Sequence, residues 1–172
     1  MIGIVIGQML LLTTAGVAVL MDLYEMKIKN GWILWSLLTG FLYELWRGGW
    51  NGAAFFIAGA GLPLLVLGWM FYFRMLGAGD IKLFCALGGI MGPGAVLWCI
   101  WFAFVAGAGI SLAVVIFCGN FRQRLQRFAE YLLAFIWTGR RAPYFQKGAV
   151  TENIHFTVPI FMSVMLYMGG MY

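Results

Sequence analysis

Charge is what this sequence most lacks. Lys, Arg, Asp and Glu make up 10% of its 172 residues, against roughly 25% in ordinary soluble domains. Together with 63% hydrophobic residues, that excludes a soluble globular class and points to a polytopic helical membrane protein. Histidine is nearly absent too. The lone His155 has no ligand-spaced partner, so no metal centre is indicated and the residue reads as a packing or interfacial group. The three cysteines, Cys85, Cys99 and Cys118, contain no C-x-x-C pair and lie in or beside apolar runs. They read as buried thiols, not as a zinc site or a disulfide framework. No basic segment precedes the first apolar run, which is also long for a secretory leader. It is therefore kept as a helix of the mature protein. The formal charge of +5 sits in short loops, where it speaks to membrane orientation and not to a nucleic-acid partner. No cofactor-binding motif is present.

Long apolar runs are what the chain has instead. A bilayer core of about 30 Å takes about 20 apolar residues in a helix. Ile2 to Met21 fits, and the polar stretch Asp22 to Asn30 follows. Gly31 to Trp46 makes a second span, Arg47 to Asn51 a turn flanked by interfacial Trp46 and Trp50, and Gly52 to Phe73 a third span, with Pro63 as a candidate kink. A glycine loop, Gly77-Ala78-Gly79-Asp80, leads into Ile81 to Met91. That run is short for a span unless it starts within the loop or is walled in by neighbours. After the turn Gly92-Pro93-Gly94, Ala95 to Cys118 and Ile154 to Met171 complete six spans in one all-α bundle, a single membrane-embedded domain over 1–172. Between the last two, at about 119–153, Phe121, Leu125, Phe128, Leu132 and Phe135 recur at helical spacing beside Arg122, Arg124 and Arg127. That pattern suits a basic helix lying in the interface, attracted to anionic lipid.

Basic residues orient the bundle. Lys27 and Lys29, Arg74 and Lys82, and the six of the 119–153 segment fall in alternate loops, so ten of the 11 basic residues share one side and Arg47 takes the other. The positive-inside rule puts that side in the cytoplasm and both termini outside. Asp22 and Asp80 then stand at the cytoplasmic ends of their helices. Singly, each reads equally as a loop acid beside Lys27 or Lys82. As a pair they have a chemistry: two neighbouring carboxyls share one proton, the ionised one draws a proton from water, and the protonated one polarises a carbonyl and protonates the leaving amine. Which aspartate starts protonated is left open. Gly77 and Gly79 suggest backbone shapes closed to other residues and clearance for an extended peptide.

Gly77-Ala78-Gly79-Asp80-Ile81-Lys82-Leu83, running into Ala86-Leu87-Gly88, resembles the GxGD motif of the type IV prepilin peptidases. Upstream, Asp22-Leu23 followed by Ile28-Lys29-Asn30 resembles that family's first motif, with Lys29 where proline is usual, and Ile154 to Pro159 is similar, more loosely, to its closing proline segment. The length fits the short, peptidase-only branch of tight-adherence (Flp) pilus systems. The resemblance implies an aspartic endopeptidase of the bacterial or archaeal cytoplasmic membrane. It would cleave the leader from prepilins or pseudopilins, with Asp22 and Asp80 catalytic, Gly77, Gly79 and Asn30 shaping the loops, and Lys82 favouring ionised Asp80. It implies no methyltransferase activity, because the added cytoplasmic portion of the bifunctional enzymes is missing. The rival readings are the six-span substrate-binding component of a vitamin-type transporter, with Glu44, Arg47 and Asn51 on its outer side, and a protein that keeps the fold without the catalysis.

Overall fold

Helices that are apolar on every face must be covered all round, by protein or by lipid, and the chain is built from such helices. The structure, a computed structural model, describes residues 2–73, 75–117 and 155–172. In chain order these form α1 (Ile2–Glu25), α2 (Asn30–Tyr72), α3 (Ala78–Met91), α4 (Pro93–Phe117) and α5 (Thr157–Met168). No strand occurs among the described residues. Three helices, α1, α2 and α4, are long and apolar enough to cross a membrane. The chain divides into two units, 1–107 with 155–172 and 108–154. The site and the packing below belong to the first; of the second, the described part is the end of α4. Arg74, Cys118 and the expected interfacial helix over 119–153 lie outside the described residues.

The 43 residues of α2 would reach about 65 Å as one straight rod at about 1.5 Å per residue, twice a bilayer core. The rod is broken at Gly49, whose φ of 57° and ψ of −137° are non-helical. Positive φ is open to glycine at no steric cost. Beyond it the chain turns back on itself. Phe41 meets Phe56 edge-on with ring centroids 5.6 Å apart, and a side chain at Gly52 would strike the carbonyl of Glu44. The expected turn at 47–51 is therefore real, and α2 is a hairpin of two apolar helices. Pro63 sits inside the second half of the hairpin, where the backbone angles stay helical.

The first half of α2 runs antiparallel to α1, held by Tyr43 Oη donating to the carbonyl of Gly3 at 2.7 Å and Trp32 Nε1 to that of Thr14 at 3.3 Å. The hydroxyls of Thr13 and Thr39 bond back to the carbonyls of Met9 and Trp35 in their own helices, which satisfies these donors in an apolar surround; the buried Ser36 hydroxyl has no partner.

At the centre is α3. Every residue from Ile81 to Met91 is buried except Lys82, and Leu83, Phe84 and Leu87 are among the largest fully buried side chains of the protein. A helix of 14 residues is short for a bilayer, but one walled by protein does not have to match lipid thickness. It packs most extensively on α2, and also on α1. Where α2 and α3 cross, a Cβ on Gly59 or on Gly88 would run into the other's carbonyl oxygen, so the two backbones touch. The helix α5 is tied to α4 by Ser163 Oγ donating to the carbonyl of Cys99 at 2.8 Å and by the Phe104–Phe156 ring pair. Cys85 and Cys99 are buried free thiols, as expected.

Several boundaries differ from the sequence reading. The first helix runs to Glu25 and takes in Asp22, because nothing in Asp22-Leu23-Tyr24-Glu25 breaks a helix. It ends at Met26, which adopts a left-handed φ of 53° with its N–H donating to the carbonyl of Asp22 at 2.9 Å, the geometry of a left-handed helix cap. Asn30 opens α2, so the polar connector is only 26–29. The glycine loop is likewise mostly helix, since α3 begins at Ala78 and Asp80 lies in its first turn. Gly92, at φ 86°, makes the turn into α4, and Pro93 is the first helical residue, where its missing N–H leaves nothing unpaired.

Glu44, at the end of the α2 hairpin remote from Asn30, has 1% of its side chain exposed and accepts from Arg47 Nη2 at 2.9 Å and Nε at 3.1 Å. Its other oxygen, Oε1, has no partner. Removing the arginine would leave a buried charge uncompensated, which costs roughly 3–5 kcal/mol. Arg47→Met is expected to lower the melting temperature of the detergent-solubilised protein by several degrees, and Glu44→Gln in that background to restore part of it. Equal damage in the single and double variants would show that the pair holds nothing.

Candidate active site

Four chain segments meet at one end of the first unit: the last turn of α1, the connector into α2, the first turn of α3 and the residues entering α5. The antiparallel order of the helices dictates this. The α1–α2 connector, the return of α2 and the entry to α3 all fall at the end opposite Gly49, and the contact of α5 with α1 brings its N-terminus to the same end.

Asp22 and Asp80 are both there. Asp80 occupies the third helical position of α3, and its carboxylate accepts from the backbone N–H of Gly77, the residue capping the helix. This is the reciprocal half of a capping box. That bond and the positive end of the helix favour the ionised form. Burial and the neighbouring charge of Asp22 oppose it and prevail: the Asp80 carboxyl, one residue ahead of the apolar run, is pushed up to about 6. Two carboxyls near enough for one to raise the other cannot both ionise readily. The positions that the sequence pairs across 58 residues are thus electrostatically coupled.

The two glycines act differently from the expectation. Gly77 has φ −71° and ψ 144°, an extended backbone open to most residues, and Gly79 is helical without positive φ. What matters is space. A Cβ on Gly77 would stand 3.0 Å from Asp80 Oδ2, so glycine leaves the carboxylate room to fold back on the cap. A Cβ on Gly79 would make ordinary contact with Ile28, at 3.6 Å. Lys82 also differs. Its ammonium donates to Asn30 Oδ1 at 2.9 Å, and the charge that acts on Asp80 comes from Asp22. Lys82 and Asn30 therefore join α3 to the start of α2. Lys29, the residue standing at the proline position of the first motif, pairs with Glu25 at 2.6 Å on the surface.

Two residues at the site were not foreseen. Thr157 Oγ1 donates to Asp22 Oδ2 at 2.7 Å, and His155 Nδ1 lies 3.1 Å from the same oxygen. By sequence His155 reads as a packing residue, because no residue stands at metal-ligand spacing from it. The usable signal was a lone imidazole and a hydroxyl two residues apart at the head of an apolar run. Among the described residues no group of His, Cys, Asp and Glu is arranged to hold a metal ion.

The model of the type IV leader peptidase family matches residues 9–112. That stretch holds both aspartates and most of the chain. The chain belongs to the type IV leader peptidase family. The apolar helices and the family together make it a membrane protease of the leader-peptidase type. No curated protein and no solved structure matches the chain. The family match ends well before His155 and Thr157, so the two partners of Asp22 lie outside it.

Proposed function

We propose that this protein is an aspartic endopeptidase that removes the leader from Flp-type prepilins or pseudopilins at the cytoplasmic face of the inner membrane, with Asp22 and Asp80 as its dyad. The observation that carries the reading is the coupling of the two carboxyls at one end of the helices in a chain of this family. One carboxyl is ionised and one protonated. The ionised member takes a proton from water as the water oxygen bonds to the scissile carbonyl carbon, while the protonated member gives its proton to the carbonyl oxygen. The tetrahedral intermediate then collapses: the C–N bond breaks, the amine leaves with the proton held by the first carboxyl, and the second recovers one from the geminal hydroxyl. Water is consumed and both carboxyls return to their starting states.

The six-span arrangement, with α2 counted as two spans and both termini on the outer side, fits this chemistry. Lys27, Lys29 and Lys82 lie in the segments that carry the dyad, and by the positive-inside rule that end faces the cytoplasm, so a prepilin with its leader in the cytoplasm and its apolar helix in the bilayer would present the scissile bond at that depth. Gly79 supports the approach of an extended peptide, since the atoms nearest the position of a side chain there, those of Ile28, lie at ordinary contact distance. We read no methyltransferase activity, no cofactor and no nucleic-acid partner into the chain; its partners are the prepilin and membrane lipid. The transporter reading draws nothing from the family match, and the Glu44 carboxylate it would use is already engaged by Arg47.

The test is mass spectrometry of a co-expressed Flp-type prepilin. Its N-terminus is expected to be shortened by the leader in the presence of the protein, and to remain full-length with Asp22→Asn. Leader removal undiminished in that variant would end the dyad assignment.

A further inference from the structure

The reaction above needs one carboxyl ionised and one protonated, but does not say which. The surroundings of the two aspartates differ. Asp80 has one hydrogen bond to its charged form, from the Gly77 backbone. Asp22, whose side chain is 16% exposed, has two side-chain partners on one oxygen: the buried hydroxyl of Thr157 at 2.7 Å and the Nδ1 of His155 at 3.1 Å. A hydroxyl proton directed at a carboxylate oxygen, and an imidazole N–H beside it, both favour the charged acceptor. Because both reach Oδ2, they also fix the rotation of the carboxylate and leave Oδ1 outside both bonds. Other charged groups described on these segments have partners of their own. Glu25 on α1 is paired with Lys29, and Lys82 on α3 is held by Asn30.

We propose that His155 and Thr157 are positioning residues: they clamp Asp22 through Oδ2 as the ionised, water-activating member of the dyad, with Oδ1 turned to the water, and so leave the shared proton on Asp80. This deepens the peptidase reading and rests on it. It also gives the segment entering α5 a task that the family match, ending at residue 112, does not assign.

The experiment compares Thr157→Val with Thr157→Ser and His155→Phe with His155→Asn, the latter member of each pair keeping a donor near the original atom. Cleavage of a purified Flp-type prepilin in detergent micelles would be followed under saturating and subsaturating substrate, on samples shown by size exclusion and melting temperature to be folded. Loss of a hydrogen bond to a charged group is worth about tenfold or more in rate. The valine and phenylalanine variants should therefore lose about tenfold in kcat with KM within about twofold, while serine and asparagine recover most of the rate. His155 lies ahead of α5 and is partly exposed, so His155→Phe gives a readout even if Thr157→Val fails to fold. The proposal is overturned by wild-type kcat in His155→Phe, by a loss confined to KM, or by serine and asparagine variants as impaired as their apolar counterparts. Asp22→Asn is run alongside. If it still cleaves, the peptidase dyad has failed; if it is inactive while His155→Phe is unaffected, only the clamp has failed.

Discussion

Asp80→Asn is expected to abolish leader removal and, above about pH 6, to make the protein harder to unfold. An amide cannot deliver the proton that the carbonyl oxygen receives, and removing an acid–base group of this kind costs about 10²–10⁴-fold. The stability effect has the opposite sign. Asp80 is raised to about 6 in the folded protein, first by burial and then by the charge of Asp22, whereas an unfolded aspartate titrates near 3.9. Between these values the folded state binds more protons than the unfolded one, so stability falls as pH rises. The favourable contribution is complete below the unfolded value and is lost as pH passes through about 6. Asparagine never ionises and escapes that loss. Melting curves in detergent from pH 4 to 8 should separate between pH 4 and 6, with the variant higher, and then run parallel. Curves parallel across the whole range would mean that the carboxyl is not held protonated, and full cleavage by the variant would mean that it supplies no proton.

Gly59→Ala and Gly88→Ala are expected to destabilise the protein by forcing α2 and α3 apart at their crossing. At these positions the new Cβ would meet backbone, a carbonyl oxygen of the facing helix, and neither helix can yield without separating from the other. Each backbone also excludes side-chain relief, unlike Gly40, where the nearest atoms are the movable ends of Ile90 and Phe56. Overpacking a tight interior typically costs about 1–3 kcal/mol, and here the strain falls on the contact that positions α3. A fall of several degrees in melting temperature, with cleavage lost in proportion to the folded fraction, is the expected result. Wild-type stability in both variants would show that the α2–α3 crossing is looser than the backbone contact implies.

The pairing of Asp22 with Asp80 as candidates and the all-helical, apolar build were legible before any coordinates. Carboxylates are rare in so apolar a chain, and apolar runs of bilayer length leave few ways to divide it. The turn at 47–51 was legible for the same reason. Helix ends were not. Asp22 and Asp80 each look like loop residues because charge and glycine cluster around them, yet these weaken a helix only by about 1 kcal/mol or less per residue, and one more helical turn satisfies backbone groups that a loop would leave to water. The role of Lys82 was misjudged because an ammonium two residues away in sequence lies off the face of its neighbour on a helix, and it turns to Asn30.

By itself, then, the sequence determined an all-helical apolar protein with one acidic pair in the setting of a leader peptidase, since composition and hydrophobic run length are properties of the chain alone. Only the tertiary structure decided that Asp22 acts on Asp80, that Thr157 and His155 hold Asp22, and that α3 is buried by its neighbours. The first two join residues from separate segments, across 58 positions in one case and more than 130 in the other. Such distances are closed only when the helices pack, by backbone contacts such as that between Gly59 and Gly88.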